Sequence, residues 1–244
     1  MINQKMKAFL NGILELFGVR AVNLHWGPRG FLSTFKRIRA QGVVPEQIVD
    51  VGASDGSWSI ECMKVFPDAW YFLVEPLNDH AECLQLLAEK FRRFTVWHGA
   101  LGSTSEKLPL HCHGGQTSFL KSRDFPCEKE AVTIVERLDD LVKAGILNRP
   151  NLIKADVQGF EMEVLRGAQE CLNTCELLYL EVSYRQIYDS GPLAHDIISY
   201  VTSKGFRIYD ICTYSQRPRD FELAQSDVLF AKEFSKLFEC EGWY

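Results

Sequence analysis

The segment from Val49 to Gly56 places acidic side chains and glycines directly after an apolar, β-branched run of the chain. Glycines in a turn that follows a strand let the backbone approach a ligand closely, and a helix that begins behind the turn offers free N–H groups to an anionic ligand. The pattern therefore predicts a ligand-binding turn. Its expected contact residues are Asp50, Gly52, Ala53, Asp55 and Gly56.

Two features of this region indicate the kind of ligand. Asp50 stands where a dinucleotide-binding fingerprint normally has an apolar residue, and the G-x-G-x-x-G spacing of that fingerprint is absent. A carboxylate there suits a cationic ammonium, such as that of the methionine part of S-adenosylmethionine. The next apolar run ends in Glu75 and Pro76, about as far downstream as a ribose-binding acid is expected. We expect both at the cofactor, the alternative for Glu75 being a charge that stabilises the start of the next helix.

A third apolar run ends in His98, Gly99 and Ala100. If the three runs are neighbouring parallel strands, this turn lies where the adenine ring of a nucleoside cofactor would bind. We therefore expect Gly99 and Ala100 in the cofactor site, and His98 as an ordinary polar turn residue.

A second group of ionisable side chains surrounds the end of a later strand, in the segment NLIKADVQGFE from Asn151 to Glu161. Side chains two residues apart on a strand point to the same face. We expect Asp156 to contact the cofactor and to act as general base or acceptor anchor, with Glu161 also on the reacting side. The residues expected to bind substrate here are Lys154, Gln158 and, from the following strand, Glu181.

Structural roles are the alternatives for this group of charges. Lys154 would then form an ion pair, with Glu181 as one candidate partner, and Glu161 would be a charge at a helix N-terminus. A divalent ion that bridges Asp156 and Glu161 stays an open alternative, and no metal is predicted.

The segment His111-Cys112-His113 has the appearance of half a metal site, because both imidazoles share one face if the segment is a strand. Cys127 follows not far along the chain, but a zinc site needs more ligands than the sequence brings together. We expect His111 and His113 to contact substrate from a loop over the site, with His111 as a further candidate for proton transfer. The alternative is an exposed pair without a role.

Apolar runs that alternate with helical segments from Pro45 onward predict the scaffold for these side chains. We expect an α/β fold with a mostly parallel sheet, helices on both faces and a C-terminal antiparallel hairpin. The segment from Lys107 to Val135 is predicted to leave the main sheet and to form antiparallel strands beside it. Residues 1–42 are expected to form a helical extension that caps the domain, covers the site or builds a homodimer interface, and residues 43–244 the catalytic domain.

Composition narrows the range of partners. A net charge of -5 is opposite to what a phosphate backbone attracts, so we expect no nucleic-acid partner. No apolar stretch is as long as a membrane span. The eight cysteines form neither a CxxC pair nor a disulfide framework, which favours free thiols in the cytoplasm.

The order of these motifs resembles the FkbM-type methyltransferases. The resemblance rests on VDVGASDG from Val49, on Glu75-Pro76, on RLDDL from Arg137, on IKADVQGFE from Ile153 and on Glu181. It implies a class I, Rossmann-like fold with a seven-stranded sheet. It further implies S-adenosylmethionine as methyl donor, S-adenosylhomocysteine as product and a small-molecule acceptor, often a hydroxyl of a sugar or natural product.

The same resemblance implies roles for individual residues. Gly52, Asp55, Gly56 and Glu75 would bind the cofactor, whereas Asp156 and Glu161 would lie on the reacting side. The acceptor is not implied, and amines stay open beside hydroxyls. Two competing interpretations are a nicotinamide-dependent oxidoreductase on a similar sheet and a methyltransferase-like binding module without turnover.

Overall fold

The structure is a computed structural model and describes residues 30–113, 116–124 and 127–239. Ten strands fall within these ranges. They are β1 Gln47–Val51, β2 Trp70–Glu75, β3 Phe94–His98, β4 Ala100–Leu101, β5 Glu106–Cys112, β6 Lys129–Glu136, β7 Leu152–Ala155, β8 Leu177–Ser183, β9 Phe206–Gln216 and β10 Leu223–Lys232.

The main sheet has seven strands in the order β3-β2-β1-β7-β8-β10-β9. Strands β3, β2, β1, β7 and β8 pair in parallel, whereas β10 runs antiparallel to both of its neighbours. β9 and β10 form the expected C-terminal hairpin. The prediction of a mostly parallel sheet with an antiparallel C-terminal hairpin is therefore confirmed.

Seven α-helices lie in the described ranges and cover both faces of the sheet, and two short 3-10 helices, Asn78–His80 and Lys236–Phe238, accompany them. The α-helices are α1 Phe31–Ala40, α2 Ser57–Met63, α3 Ala81–Lys90, α4 Leu138–Lys143, α5 Glu161–Arg166, α6 Gln169–Thr174 and α7 Ala194–Ser203. Helices α1 to α3 share a buried core with Ile48 of β1, and α4 to α7 share another with Val49 and Val51. Alternate side chains of a strand point to opposite faces, so β1 supplies both cores.

Helix α6 and the short strand β4 were not predicted. The residues from Glu161 to Thr174 form two helices rather than one, because a break separates α5 from α6. The buried carboxylate of Asp139 accepts hydrogen bonds from the N–H groups of Glu170 (3.0 Å) and Cys171 (2.9 Å). A carboxylate at this place stabilises the N-terminus of α6, and it is supplied by another helix, α4.

The segment between β3 and α4 forms a second sheet of three strands in the order β4-β6-β5. β5 and β6 pair antiparallel, as predicted, and β4 adds to β6 in parallel. After β5 the chain folds back, and the backbone N–H groups of His111 and Ser118 each donate to the other's carbonyl oxygen at 2.8 and 3.1 Å. Residues 116–120 are thereby held beside the carboxyl ends of the main sheet.

Of the helical extension expected for residues 1–42, the structure describes only α1 and the residues around it. Phe35 and Ile38 of α1 are fully buried in the same core as Ile48. Residues 1–29 lie outside the described residues, so the homodimer expectation and the division at residue 43 stay predictions. Among the residues that the structure describes, no helix is long and apolar enough to cross a membrane.

Candidate active site

A cavity of about 230 Å³ opens at the carboxyl ends of β1, β2 and β7. This edge is where open α/β sheets bind ligands. Six residues predicted for the site line the cavity, namely Gly52, Glu75, Pro76, Ala100, Asp156 and Gln158. The structure thus brings together residues from four segments that lie far apart in the chain.

Gly52 allows the turn after β1 to pass close to the end of β7. Its φ is +74°, and a Cβ built on it would lie 2.1 Å from the backbone oxygen of Asp156. Gly56 has a φ of +78°, and a Cβ there would lie 2.5 Å from Leu87 of α3. Both positions therefore require glycine, for the left-handed backbone and for the close approach of neighbouring groups.

Glu75 is held rigidly at the end of β2. Its two carboxylate oxygens accept hydrogen bonds from the backbone N–H groups of Ser54 (2.8 Å) and Leu77 (2.9 Å). Only 5% of the residue is exposed, yet it lines the cavity. A carboxylate offers about four acceptor positions, so roughly two remain for hydroxyl groups of a ligand.

Asp50 serves protein groups in this structure. Its carboxylate is fully buried, accepts a hydrogen bond from the Ser59 hydroxyl at 2.7 Å and lies 3.0 Å from the Lys154 ammonium. It is not among the side chains that line the cavity. Direct contact of Asp50 with a cationic ligand stays a prediction, and the ligand group would compete with Lys154.

Lys154 ties the turn after β1 to β7. Besides the Asp50 carboxylate, its ammonium reaches the backbone oxygens of Gly52 (2.6 Å) and Val51 (3.3 Å). Burial by itself lowers the pKa of this ammonium, but the charges of Asp50 and Asp156 outweigh that effect and hold the pKa above its ordinary value. The ion pair of Lys154 is therefore with Asp50 rather than with Glu181. Contact of Lys154 with substrate stays a prediction.

Asp55 and Ala53 belong to the architecture of the same turn. The Asp55 carboxylate accepts a hydrogen bond from the backbone N–H of Ser57 at 3.0 Å, and interactions with the Ser57 side chain and then with its backbone lower the pKa of Asp55. It therefore stabilises the start of α2. Ala53 is buried and donates its N–H to the Val74 oxygen at 3.0 Å.

Asp156 and Gln158 form the other wall of the cavity. The Gln158 amide donates to one oxygen of the Asp156 carboxylate at 2.8 Å. Gln158 has a φ of +56°, which is rare for a residue with a side chain. The Ser118 hydroxyl donates to its backbone oxygen (2.6 Å) and the Tyr188 hydroxyl to its side-chain oxygen (2.7 Å). These contacts hold the strained turn and orient the Asp156 carboxylate.

The buried side chain of Glu161 stabilises the turn that contains Gln158. One of its carboxylate oxygens accepts hydrogen bonds from the backbone N–H groups of Val157 (3.0 Å) and Gly159 (3.2 Å). Burial raises the pKa of Glu161 to about 7. Its carboxyl group does not line the cavity, and a direct role of Glu161 on the reacting side stays a prediction.

Glu181 lies at the end of β8, beside Asp156. The amides of Gln225 and Gln158 donate to one of its oxygens. Burial, together with the charges of Asp156 and Glu161, raises the pKa of Glu181 well above its ordinary value. The group therefore holds a proton more readily than an ordinary carboxylate, and its role toward substrate stays a prediction.

Further cavity-lining residues come from segments without a sequence signal. His80 precedes α3, and one of its ring nitrogens lies 3.3 Å from the Ser54 hydroxyl. Phe119 and Phe160 both line the cavity, with ring centroids 4.6 Å apart. Phe119 reaches the site only through the fold-back after β5.

The predicted site residue Gly99 lies beside Ala100, packed against Trp97 and Ile134.

The histidines predicted to reach substrate line a different cavity. His111 and His113 border a space of about 290 Å³ on the other side of the fold-back. His111 lies 3.3 Å from the Glu130 carboxylate and His113 lies 3.2 Å from that of Glu128. The structure does not bring either imidazole to the cavity that contains Asp156, and their contact with substrate stays a prediction.

Comparison with known proteins places this geometry in a family. Residues 50–208 match the profile of the Methyltransferase FkbM domain. A 2-O-methyltransferase, NoeI, from Sinorhizobium fredii is 24% identical over 77% of this chain and 79% of its own length. A hexuronic acid methyltransferase, AglP, from Haloferax volcanii is 39% identical over 74% of this chain and 75% of its own length.

A solved structure shares the fold. The FkbM methyltransferase from Methylobacillus flagellatus superimposes with a TM-score of 0.52 over 76% of this chain, at 20% sequence identity. This chain spans 43% of the length of that chain. The profile match covers the segments that build the cavity, from Asp50 of β1 through Glu75 and Asp156 to Glu181 of β8. The chain therefore belongs to the FkbM family of methyltransferases.

Proposed function

We propose that this chain transfers the methyl group of S-adenosylmethionine to a hydroxyl of a sugar. The observation that carries the cofactor part is Glu75, a carboxylate fixed by two backbone N–H groups and turned toward a cavity. The remaining acceptor positions of this carboxylate suit the two adjacent hydroxyls of a ribose.

The residues present fit such a nucleoside. Gly52 lines the cavity at the turn after β1, and Ala100 and Leu101 of β4 offer apolar surface. Phe119 and Phe160 add aromatic walls. The cavity thus pairs a polar end at Glu75 with apolar surface, as ribose and adenine require.

When bound, S-adenosylmethionine supplies an electrophilic methyl group. Asp156 is our candidate for orienting the acceptor hydroxyl and receiving its proton. Gln158 holds one oxygen of the Asp156 carboxylate, which leaves the other for the acceptor. Fixed orientation of reacting groups supplies up to about 7–11 kcal/mol of the barrier, and a general base about 10²–10⁴-fold in rate.

The sugar part of the proposal rests on the two curated relatives and on the polar wall beside Asp156. A hexuronic acid methyltransferase and a 2-O-methyltransferase are similar to this chain over about three quarters of its length. Glu181, whose pKa is raised, can donate as well as accept hydrogen bonds when protonated. Sugar hydroxyls also do both, so this wall suits them better than a cationic amine.

The first test is isothermal titration with S-adenosylhomocysteine, with NAD as the competing ligand. We expect the wild type to bind S-adenosylhomocysteine alone and Glu75→Gln to bind it more weakly, because one acceptor oxygen becomes a donor. Glu89→Gln, on the exposed side of α3, is the matched control and should bind normally. Binding of NAD alone would instead support an oxidoreductase.

The second test addresses the acceptor. Hexuronic acids and neutral hexoses are incubated with S-adenosylmethionine, and methylated product is measured by mass spectrometry. We expect Asp156→Asn to lose about 10²–10⁴-fold in turnover while S-adenosylhomocysteine affinity is retained. Asp189→Asn, at an exposed position, should be unaffected. Full turnover of Asp156→Asn would exclude Asp156 as base, and cofactor binding without turnover on any acceptor would favour a binding module.

A further inference from the structure

The cavity that borders His111 contains three potential metal ligands of different chemistry. A ring nitrogen of His111, the Cys127 sulfur and a Glu130 carboxylate oxygen all lie within 4.8 Å of one another. This group takes no part in the proposed methyl transfer. It lies on the β5–β6 sheet, and its cavity of about 290 Å³ is lined on other sides by Gln116 and Lys121.

The strand register explains why two of these ligands meet. His111 of β5 lies directly opposite Glu130 of β6 in the antiparallel pair. Directly opposed side chains share a face and come close together. The His111 Nδ1 and a Glu130 oxygen are 3.3 Å apart, which is about the distance between two ligands of a tetrahedral ion at bond lengths near 2.0–2.1 Å.

Cys127 supplies the third ligand from the segment that leads into β6. Its sulfur lies 3.3 Å from the Lys129 backbone oxygen, so the side chain is directed along the strand toward Glu130. Cys127 is exposed, so its sulfur is accessible to an ion from solvent. A small rotation of exposed side chains is enough to shorten the remaining separations to coordination distance.

We propose that His111, Cys127 and Glu130 bind a divalent transition-metal ion of the zinc class. One thiolate, one imidazole and one carboxylate form a mixed donor set that zinc accepts, whereas magnesium and calcium prefer oxygen ligands alone. With three protein ligands, the fourth position is open to water or to a ligand in the adjoining cavity.

The bound ion would secure the wall of the cofactor cavity. His111 is paired through its backbone with Ser118, and the Ser118 hydroxyl donates to the backbone oxygen of Gln158. An ion that joins His111 to Cys127 therefore closes the chain segment between them, which carries Phe119. Its expected effect is to hold Phe119 in the wall of the cavity rather than to take part in methyl transfer.

The test measures cobalt(II) binding to the metal-free full chain by absorption spectroscopy. Cobalt(II) occupies zinc sites, and coordination by a thiolate produces an intense near-ultraviolet charge-transfer band. We expect one equivalent of cobalt with this band, displaced by zinc. The band should be lost in Cys127→Ser, and affinity should fall more than about tenfold in His111→Ala and Glu130→Gln.

Matched controls separate this site from other cysteines and histidines. Cys83→Ser on α3 and His195→Ala on α7 should keep both the band and the affinity. Far-ultraviolet circular dichroism checks that each variant is folded. A wild type that binds no cobalt, or a folded Cys127→Ser variant that retains the band, would overturn the proposal. None of these readouts depends on methyl transfer or on cofactor binding, so failure of the proposed function would leave the result unaffected.

Discussion

Two constraints act on Gly52, its positive φ and its close contact with the Asp156 backbone, and a variant at a second glycine can separate them. Gly42 has a φ of +85° but nothing within 4 Å of a built Cβ, whereas a Cβ on Gly52 meets the Asp156 backbone oxygen. We expect Gly42→Ala to cost about 1–2 kcal/mol through its backbone alone. Gly52→Ala should cost more and should also weaken S-adenosylhomocysteine binding, because the turn and Asp156 must separate.

Urea unfolding and isothermal titration of the two variants check this prediction. Equal losses of stability, together with unchanged cofactor affinity in Gly52→Ala, would show that the close contact with Asp156 is unimportant.

Glu161 makes stability depend on pH. Burial raises its pKa from 4.5 to about 7, so between these values the folded protein binds a proton that the unfolded chain releases. The contribution of this group to stability is present below about pH 4.5 and is lost as pH rises through about 7, a change on the order of 3 kcal/mol. Glu181, whose pKa is also raised, acts in the same direction.

Glu161→Gln isolates this effect, because a glutamine oxygen still accepts from Val157 and Gly159 but does not titrate. We expect urea unfolding from pH 5 to pH 7 to show a smaller decline in stability for this variant than for the wild type. Glu89→Gln, on the exposed face of α3, should follow the wild type. Parallel curves for wild type and Glu161→Gln would mean that the Glu161 pKa is not raised.

At the scale of elements, the buried pair of Asp50 and Lys154 joins β1 to β7. Removing one charge leaves the other buried without a partner, which costs about 3–5 kcal/mol. We expect this loss for Lys154→Met, and a smaller loss for the double variant Asp50→Asn/Lys154→Met than the sum of the two single losses. A double-mutant cycle of urea unfolding free energies measures the difference.

The exposed pair of Lys143 and Glu170, at 2.8 Å, provides the matched control. Lys143→Met should cost far less than Lys154→Met, because water screens an exposed pair. If Lys154→Met cost no more than Lys143→Met, the buried pair would not hold the two strands together.

At the scale of the whole molecule, α1 closes one face of the sheet. Phe35 is fully buried, and its ring contacts those of Trp58, Phe66 and Tyr179 at centroid distances of 5.6–5.9 Å. We expect Phe35→Ala to reduce unfolding free energy by about 3–5 kcal/mol through the cavity it leaves. Cofactor affinity of the folded protein should be retained, because Phe35 is not among the residues that line the cavity.

Phe234→Ala is the control, since this ring is 68% exposed and should change stability by less than about 0.5 kcal/mol. Thermal unfolding with and without S-adenosylhomocysteine compares the two variants. A loss for Phe35→Ala as small as that for Phe234→Ala would mean that α1 is not part of the cooperative fold.

The pattern of short apolar runs along the chain was sufficient to predict most strands of the main sheet. Strands such as β1 and β7 are short, apolar runs buried on both faces, and an acid or glycine marks where each of them ends. Because the carboxyl ends of parallel strands meet at one edge, the sequence also predicted that Gly52, Glu75 and Asp156 approach one another. The break before α6 was missed because the carboxylate that stabilises it, Asp139, belongs to a distant helix.

Which acid faces the cavity could not be read from the chain. Asp50 and Glu75 both stand near strand ends, but Lys154 arrives from β7 to neutralise Asp50, whereas Glu75 meets only backbone N–H groups and keeps acceptor positions for a ligand. Likewise, His111 meets Glu130 through the register of β5 on β6 rather than facing Asp156. The role of an ionisable side chain depends on its burial and on charges that other segments bring to it, and both are set by packing between segments remote in sequence.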